Sequence, residues 1–363
     1  MNQPLNTSAR PRICFYQSRD FVPASMRYVP RNYDPSRLHY AAKFAEPMRT
    51  VMEYFDETAF ERAGTLMGEY VPANVGVLIR RDGMLIKMNV AAEEPWASRK
   101  MDELCATPEL QGKIKALQKI WDRLPVVENE PLLSHPYHDN YFHWSLEVIP
   151  NLRFFEDAGG VSVCGPCLHR LFQRDLLGFC TGGRPVHPLA GPVVIRNPGL
   201  CATTMTEEAV WWLRRRVGIA VKPGRRRIYL RRSGTSQRWP RGGGVSEDAA
   251  FRDFLDRNGF ETVEFGSGEL RIEEQVRLLG DAAVILAPHG AALANLAYLS
   301  APLKVIEIMG AHTPRAMFMH LSSICGFVHH VVFSASYDEN GDIDVDVEDL
   351  REALAASEPP RLS

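Results

Sequence analysis

Long apolar runs are missing from this 363-residue chain. No uncharged stretch is long enough to cross a bilayer, and the N-terminus MNQPLNTSARPRICFYQ lacks the apolar core of a signal peptide. The expectation is a cytoplasmic protein, with peripheral association at the inner face of a membrane left open. A strong net charge is missing too. The formal value is −2, with 24% charged residues, so nothing global points to nucleic acid. Internal repeats and low-complexity tracts are absent, which excludes solenoid architectures. Cysteine is sparse: the seven residues form an odd, scattered set that reads as reduced thiols. Cys164-Gly-Pro-Cys167 has redox spacing, but the usual preceding aromatic is missing. The pair reads as a strand-end turn between half-buried thiols.

What is present is an α/β pattern of about two domains in length. Residues 1–70 are weakly periodic, with one helix expected near 47–63. Two apolar runs around Asp82-Gly83 predict a hairpin with a tight primed turn. A helix is expected at 109–122 and another through 138–157, stopped by Gly159-Gly160. Strand 161–164, helix 168–178 and strand 192–196 follow. The second half alternates regularly: strands at 227–231, 261–264, 282–287, 304–308 and 328–333, with helices between them. This is the signature of βαβ units and a parallel sheet. The predicted division is 1–200 and 201–363, as two lobes with a cleft between them.

Several constellations carry chemistry. In 138-HDNYFHWSLEVIPNLRFFED-157, Asn140, His143 and Glu147 fall on one stripe of a helix. A carboxylate beside an imidazole is a reasonable general base; the plainer reading is an Asn or Asp cap with an i, i+4 pair. His135, His138, His143 and Glu147 cluster in sequence but lack zincin spacing, so no metal is expected. Between Glu208 and Glu247 there is no acidic residue, while Arg232, Arg238 and Arg241 follow or flank the end of strand 227–231. Such arginines suit a phosphate at the crevice of an open sheet. Trp239 alone offers aromatic stacking there, so nucleic acid is disfavoured. In 283-AVILAPHGAALANLAYL-299, a strand, the turn at His289-Gly290 and a small-residue helix would aim backbone N–H groups at an anion. Glu307, at its own strand's end, suits a sugar hydroxyl or a neighbouring arginine such as Arg315. The tail 338-DENGDIDVDVEDL-350 fails as an EF-hand because Ile343 takes the glycine position. It predicts a turn at Asn340-Gly341 and a helix cap at Asp346.

Taken in order, Asn140-x-x-His143-Trp144-x-x-Glu147-x-x-Pro150, Ile228-Tyr-Leu-Arg-Arg232, Val245-Ser-Glu247, Ala287-Pro-His289-Gly290-Ala-x-Leu293-x-Asn295 and Val305-Ile-Glu307 resemble the family 61 glycosyltransferases, also described as capsular polysaccharide biosynthesis proteins. The resemblance covers roughly 135–310. Glu147 stands where that family commonly has Asp, and Ser246 where Asn is usual. The resemblance implies a GT-B fold of two Rossmann-like lobes and an inverting transferase that uses neither cofactor nor metal. Its donor would be a nucleotide sugar, UDP-linked, and its acceptor a glycan or glycolipid. It further implies Glu147 as base with His143 beside it, and Asn140 and Trp144 on the acceptor side. Arg232, Arg238, His289, Gly290, Asn295 and Glu307 would bind the donor. The alternative is a non-catalytic nucleotide-sugar or polysaccharide-binding protein on the same fold.

Overall fold

The computed structural model describes residues 12–31, 33–56, 58–74, 76–88, 106–232, 244–265, 270–312 and 314–356. The chain forms two compact units, Met1–Val29 with Ala59–Met205, and Pro30–Thr58 with Thr206–Ser363. Residues 30–58 thus belong with the C-terminal half. The reason is pairing and burial. Strand Leu38–Tyr40 joins the C-terminal sheet beside Val328–Ser334. Helix Ala45–Asp56 buries Met48, Val51 and Phe55 in the core that contains Ile306, Ile308, Val331 and Phe333.

In the first unit, a six-stranded sheet, a three-stranded parallel sheet and a further three-stranded sheet come together. The expected hairpin is there, as antiparallel strands Val77–Arg80 and Leu85–Lys87. Its turn is a three-residue loop, not a two-residue one. Gly83 N–H donates to the Arg80 carbonyl, Arg80 N–H to the Met84 carbonyl, and Gly83 takes the left-handed conformation at φ 88°. The helix expected to run to 63 stops at Asp56, because Thr58–Leu66 is a strand. It pairs antiparallel with Gly199–Thr203. Gly64 marks the change: a Cβ there would lie 2.3 Å from the Val22 carbonyl oxygen, so only glycine lets the neighbouring backbone approach.

The second unit contains one six-stranded sheet in which every neighbouring pair is parallel. Its order is Phe260–Glu264, Arg226–Arg231, Ala282–Pro288, Lys304–Gly310, Val328–Ser334 and Leu38–Tyr40. Counting from Arg226, the order is 2-1-3-4-5 with one added edge strand, an order shared by doubly wound sheets. The chain leaves the first strand in one direction and returns for the third on its other side, so a switch point falls between Arg226–Arg231 and Ala282–Pro288. Helix Ala249–Arg257 begins later than its Ser246-Glu247 signal, because Asp248 is the cap: its Oδ1 accepts from Phe251 N–H at 2.7 Å. Lys304, fully buried, donates from Nζ to the Leu354 carbonyl at 2.7 Å and to that of Ala356. It thereby satisfies the end of helix Val347–Ala355, whose start is capped by Asp346 as expected.

Candidate functional site

Among the described residues, histidines pair with carboxylates at His143–Glu147 and His187–Glu130 in the first unit and at His289–Glu307 and His329–Glu307 in the second. In the first unit Asn140 caps a helical segment, its Oδ1 accepting from Phe142 N–H at 2.9 Å. Tyr141–His143 is α-helical, Trp144–Val148 is a π turn, and Ile149–Phe155 is 3-10. Pro150 explains the change of winding. It has no N–H to donate and its ring would strike the carbonyl one turn back, so the regular ladder cannot pass through it. Asn151 compensates: its Nδ2 donates to the Glu147 carbonyl at 2.8 Å. π turns recur at functional sites for this reason, since they re-aim side chains without ending the helix.

The expected pairing survives this irregularity. His143 Nδ1 lies 2.5 Å from Glu147 Oε2, and the side chains are 25% and 20% exposed. A carboxylate oxygen at that distance is placed to accept from Nδ1–H, which leaves Nε2 as the other ring nitrogen. The His143 ring stacks on His135 at 5.6 Å and lies 5.1 Å from Tyr137. His135 is buried, which pushes its pKa well down, and His143 and His138 add to this. The neighbourhood therefore carries a neutral imidazole behind a polar pair. Trp144, expected on the acceptor side, is fully buried instead, so it is a core residue. The segment is anchored by Arg153, which pairs with the buried Glu61, itself also paired with Arg27. Burial pushes the Glu61 carboxyl up, but the two arginines outweigh it and hold its pKa below the ordinary value. A cavity of about 20 Å³ lined by Ser134, His135, Val148, Asn151 and Cys201 lies behind the segment. It has room for about one water molecule and is far too small for a sugar.

In the second unit the switch point brings together the C-terminal ends of two strands. Arg232 follows Arg226–Arg231, and its Nη1 donates to the His289 carbonyl at 2.9 Å. Burial lowers its pKa, and the Asp342 charge opposes this. Among the described residues no carboxylate forms an ion pair with Arg232. A desolvated guanidinium in that condition favours an anion. Gly290 is extended and open to Arg232: a Cβ there would meet Nη1 at 3.5 Å. Beyond it Ala291–Tyr298 is a 3-10 helix, not an α-helix, whose first bond runs from Leu293 N–H to the Gly290 carbonyl.

Glu307 corrects an expectation. It is fully buried with both oxygens engaged: His289 Nδ1 lies 2.6 Å from Oε1, and His329 Nε2 lies 3.1 Å from Oε2. Burial alone would raise its pKa, but the two histidines outweigh that and hold it low, so the group stays ionised. It orients His289 and has no oxygen facing a sugar hydroxyl or Arg315. Asn295 is likewise interior. Its Nδ2 donates to Gln275 Oε1 at 3.1 Å and to the Ala292 carbonyl at 3.0 Å, tying its helix to Ile272–Leu279. A scaffolding role replaces the expected donor contact. Arg238, with Trp239 and Arg241, lies outside the described residues.

Much of the basic block is structural. Arg226 pairs with Glu261 and Asp281, Arg231 with Glu247, and Arg227 donates to the Asn258 carbonyl. Cys164 and Cys167 are buried free thiols after a strand end, and burial raises both pKa values, which disfavours the thiolate that redox exchange needs. Sequence reasoning missed Asn151, Glu61, His329 and Ser322. Pro150 was the readable signal for the first; the others act across strands or elements far apart in sequence.

This is an α/β protein whose parallel sheet carries a desolvated arginine and a carboxylate-held histidine at its switch point. Residues 141–306 match the model of the Glycosyltransferase 61 family. Among curated proteins none matches the chain.

Proposed function

We propose that this protein is an inverting glycosyltransferase of the GT-B class. It would move a sugar from a nucleotide-sugar donor, UDP-linked, to a hydroxyl of a glycan or glycolipid in surface polysaccharide synthesis. The observation that carries this reading is the family match, which spans His143, Glu147, Arg232 and His289 together. In this reading Glu147 takes the acceptor's proton while His143 fixes its orientation. The acceptor oxygen bonds to the anomeric carbon as the bond to the donor's phosphate oxygen breaks. Negative charge grows on the departing diphosphate, where Arg232 and His289 offset it without a metal. The work takes place in the cytoplasm, at the inner face of the membrane where the acceptor is a glycolipid.

The test begins with thermal shifts for UDP-, GDP-, CMP- and dTDP-sugars, with and without divalent metal. Selective stabilisation without metal is expected, and Arg232→Ala should reduce it. With the donor named, Glu147→Gln should slow transfer about 10²–10⁴-fold while leaving donor binding unchanged. Near-normal transfer by Glu147→Gln would remove it as the base. Binding with no transfer to any hydroxyl acceptor would favour a binding protein.

A further inference from the structure

We infer that Asp342 is the hydroxyl-binding carboxylate of the donor site: one oxygen holds the chain beside Arg232, and the other accepts from a sugar hydroxyl next to the diphosphate. This rests on the donor-site reading above and fills the role that the buried Glu307 cannot take. Asp342 lies beyond the matched stretch 141–306, in the acidic segment 338–350 that fails as an EF-hand.

The placement follows from the sheet. Strand Val328–Ser334 runs parallel to the strands that end at Arg231 and Pro288, so the segment after Ser334 leaves from the same end of the sheet as Arg232 and His289. That segment makes a fixed turn. Asp338 Oδ1 accepts from the N–H groups of Asn340 at 2.8 Å and Asp342 at 2.9 Å, and Gly341 takes the left-handed conformation at φ 80°. The turn is clasped to the chain that enters helix Ala249–Arg257. Ile343 N–H donates to the Gly244 carbonyl at 3.0 Å, Ser246 N–H to the Ile343 carbonyl at 2.8 Å, and Gly244 N–H to Asp342 Oδ1 at 2.9 Å. Gly244 is the meeting point: a Cβ there would lie 2.8 Å from the Arg232 carbonyl oxygen and 3.3 Å from Asp342 Oδ1. Arg232 and Asp342 are thus held together across one glycine, near enough for the carboxylate to act on the guanidinium. Asp342 is half-buried, and among the described residues nothing bonds to its Oδ2. As a loop anchor alone, an asparagine would serve Gly244 equally well; the unused second oxygen is what points to a ligand. A carboxylate accepts hydrogen bonds and repels phosphate, so beside a bound diphosphate its partner is a hydroxyl. In a nucleotide sugar two hydroxyl-bearing groups flank the diphosphate, the ribose on one side and the transferred sugar on the other.

The experiment uses the full chain and calorimetry with pyrophosphate, UDP, 2′-deoxy-UDP and UDP-glucose as probes. Should another nucleotide bind more tightly than UDP, its own ribose and deoxyribose forms take their place. Asp342→Asn keeps an oxygen for Gly244 N–H and loses the second acceptor. It should weaken the hydroxyl-bearing probe about 10–100-fold, the loss of one hydrogen bond to a charged group. Pyrophosphate should bind at least as tightly as before, because a repelling charge has gone. A loss already seen with UDP assigns Asp342 to the ribose, and to its 2′-hydroxyl where 2′-deoxy-UDP shows none. A loss confined to UDP-glucose assigns it to the transferred sugar. Gly244→Ala, whose Cβ would strike the Arg232 carbonyl, should instead weaken every probe alike, pyrophosphate included. Asp342→Asn that leaves all four probes unchanged, or weakens pyrophosphate as much as the others, overturns the inference. A wild type that binds none of UDP, GDP, CDP or dTDP overturns the donor reading instead.

Discussion

At Glu307 one carboxylate meets two imidazoles that lie 18 and 22 residues away in sequence. That distance is why its role was not legible. The sequence showed an acidic residue at a strand end, but the parallel register that sets Val305 opposite His329, and so brings His329 diagonally onto Glu307, is a property of the sheet. Local spacing was informative where partners are local. Asn140, His143 and Glu147 needed only helical geometry, and all three occupy the expected relation as cap and pair. The depth of Trp144 and Asn295 could not be read, since an apolar or small-residue helix does not say which face is covered. The cap offers a residue-scale test. Asn140→Ala should destabilise the first unit by about 1 kcal/mol, and Asn140→Asp should restore it, both measured by urea unfolding.

Among the elements, the irregular helix 141–155 shows how strain of winding is contained. Pro150 breaks the ladder, Asn151 takes up a carbonyl, and Arg153 fastens the far end to Glu61 on strand Thr58–Leu66. The alternation of strands and helices in the second half was legible because each apolar run was bounded by a stop signal, as at Gly259 with φ 65°. The strand Thr58–Leu66 was not, because its residues continue the pattern of the preceding helix and only its partner decides the outcome. Glu61→Gln leaves two arginines facing an amide, one of them buried. Its cost should be about 3–5 kcal/mol, seen as a lower urea midpoint. The depressed pKa of Glu61 adds a pH sign. Its stabilisation is complete above the ordinary carboxyl value of 4.5 and is lost as pH falls through the lower folded value.

For the whole molecule, two buried histidines set an earlier acid limit. Burial, aided by Arg31, pushes His320 down to about 4, and burial, then Lys304, His39 and His329, pushes His330 to about 3. The folded chain refuses protons that the unfolded chain accepts below 6.5. Stability that is complete above that value should therefore fall as the pH drops toward 4, by roughly 3 kcal/mol at most from His320. Urea midpoints between pH 7.5 and pH 4.5 would record the decline, and His320→Leu should flatten it. Two α/β halves were legible from the order of elements, while the membership of residues 30–58 in the later half was not, since it depends on an edge strand finding its neighbour across most of the chain.

That exchange has a consequence for synthesis. The segment 30–58 is made early, yet Leu38–Tyr40 has no neighbour until Val328–Ser334 has emerged. At about 5–20 residues per second the wait is roughly 15–60 seconds. During it the apolar face of Met48, Val51 and Phe55 waits on the nascent chain for the core that covers it.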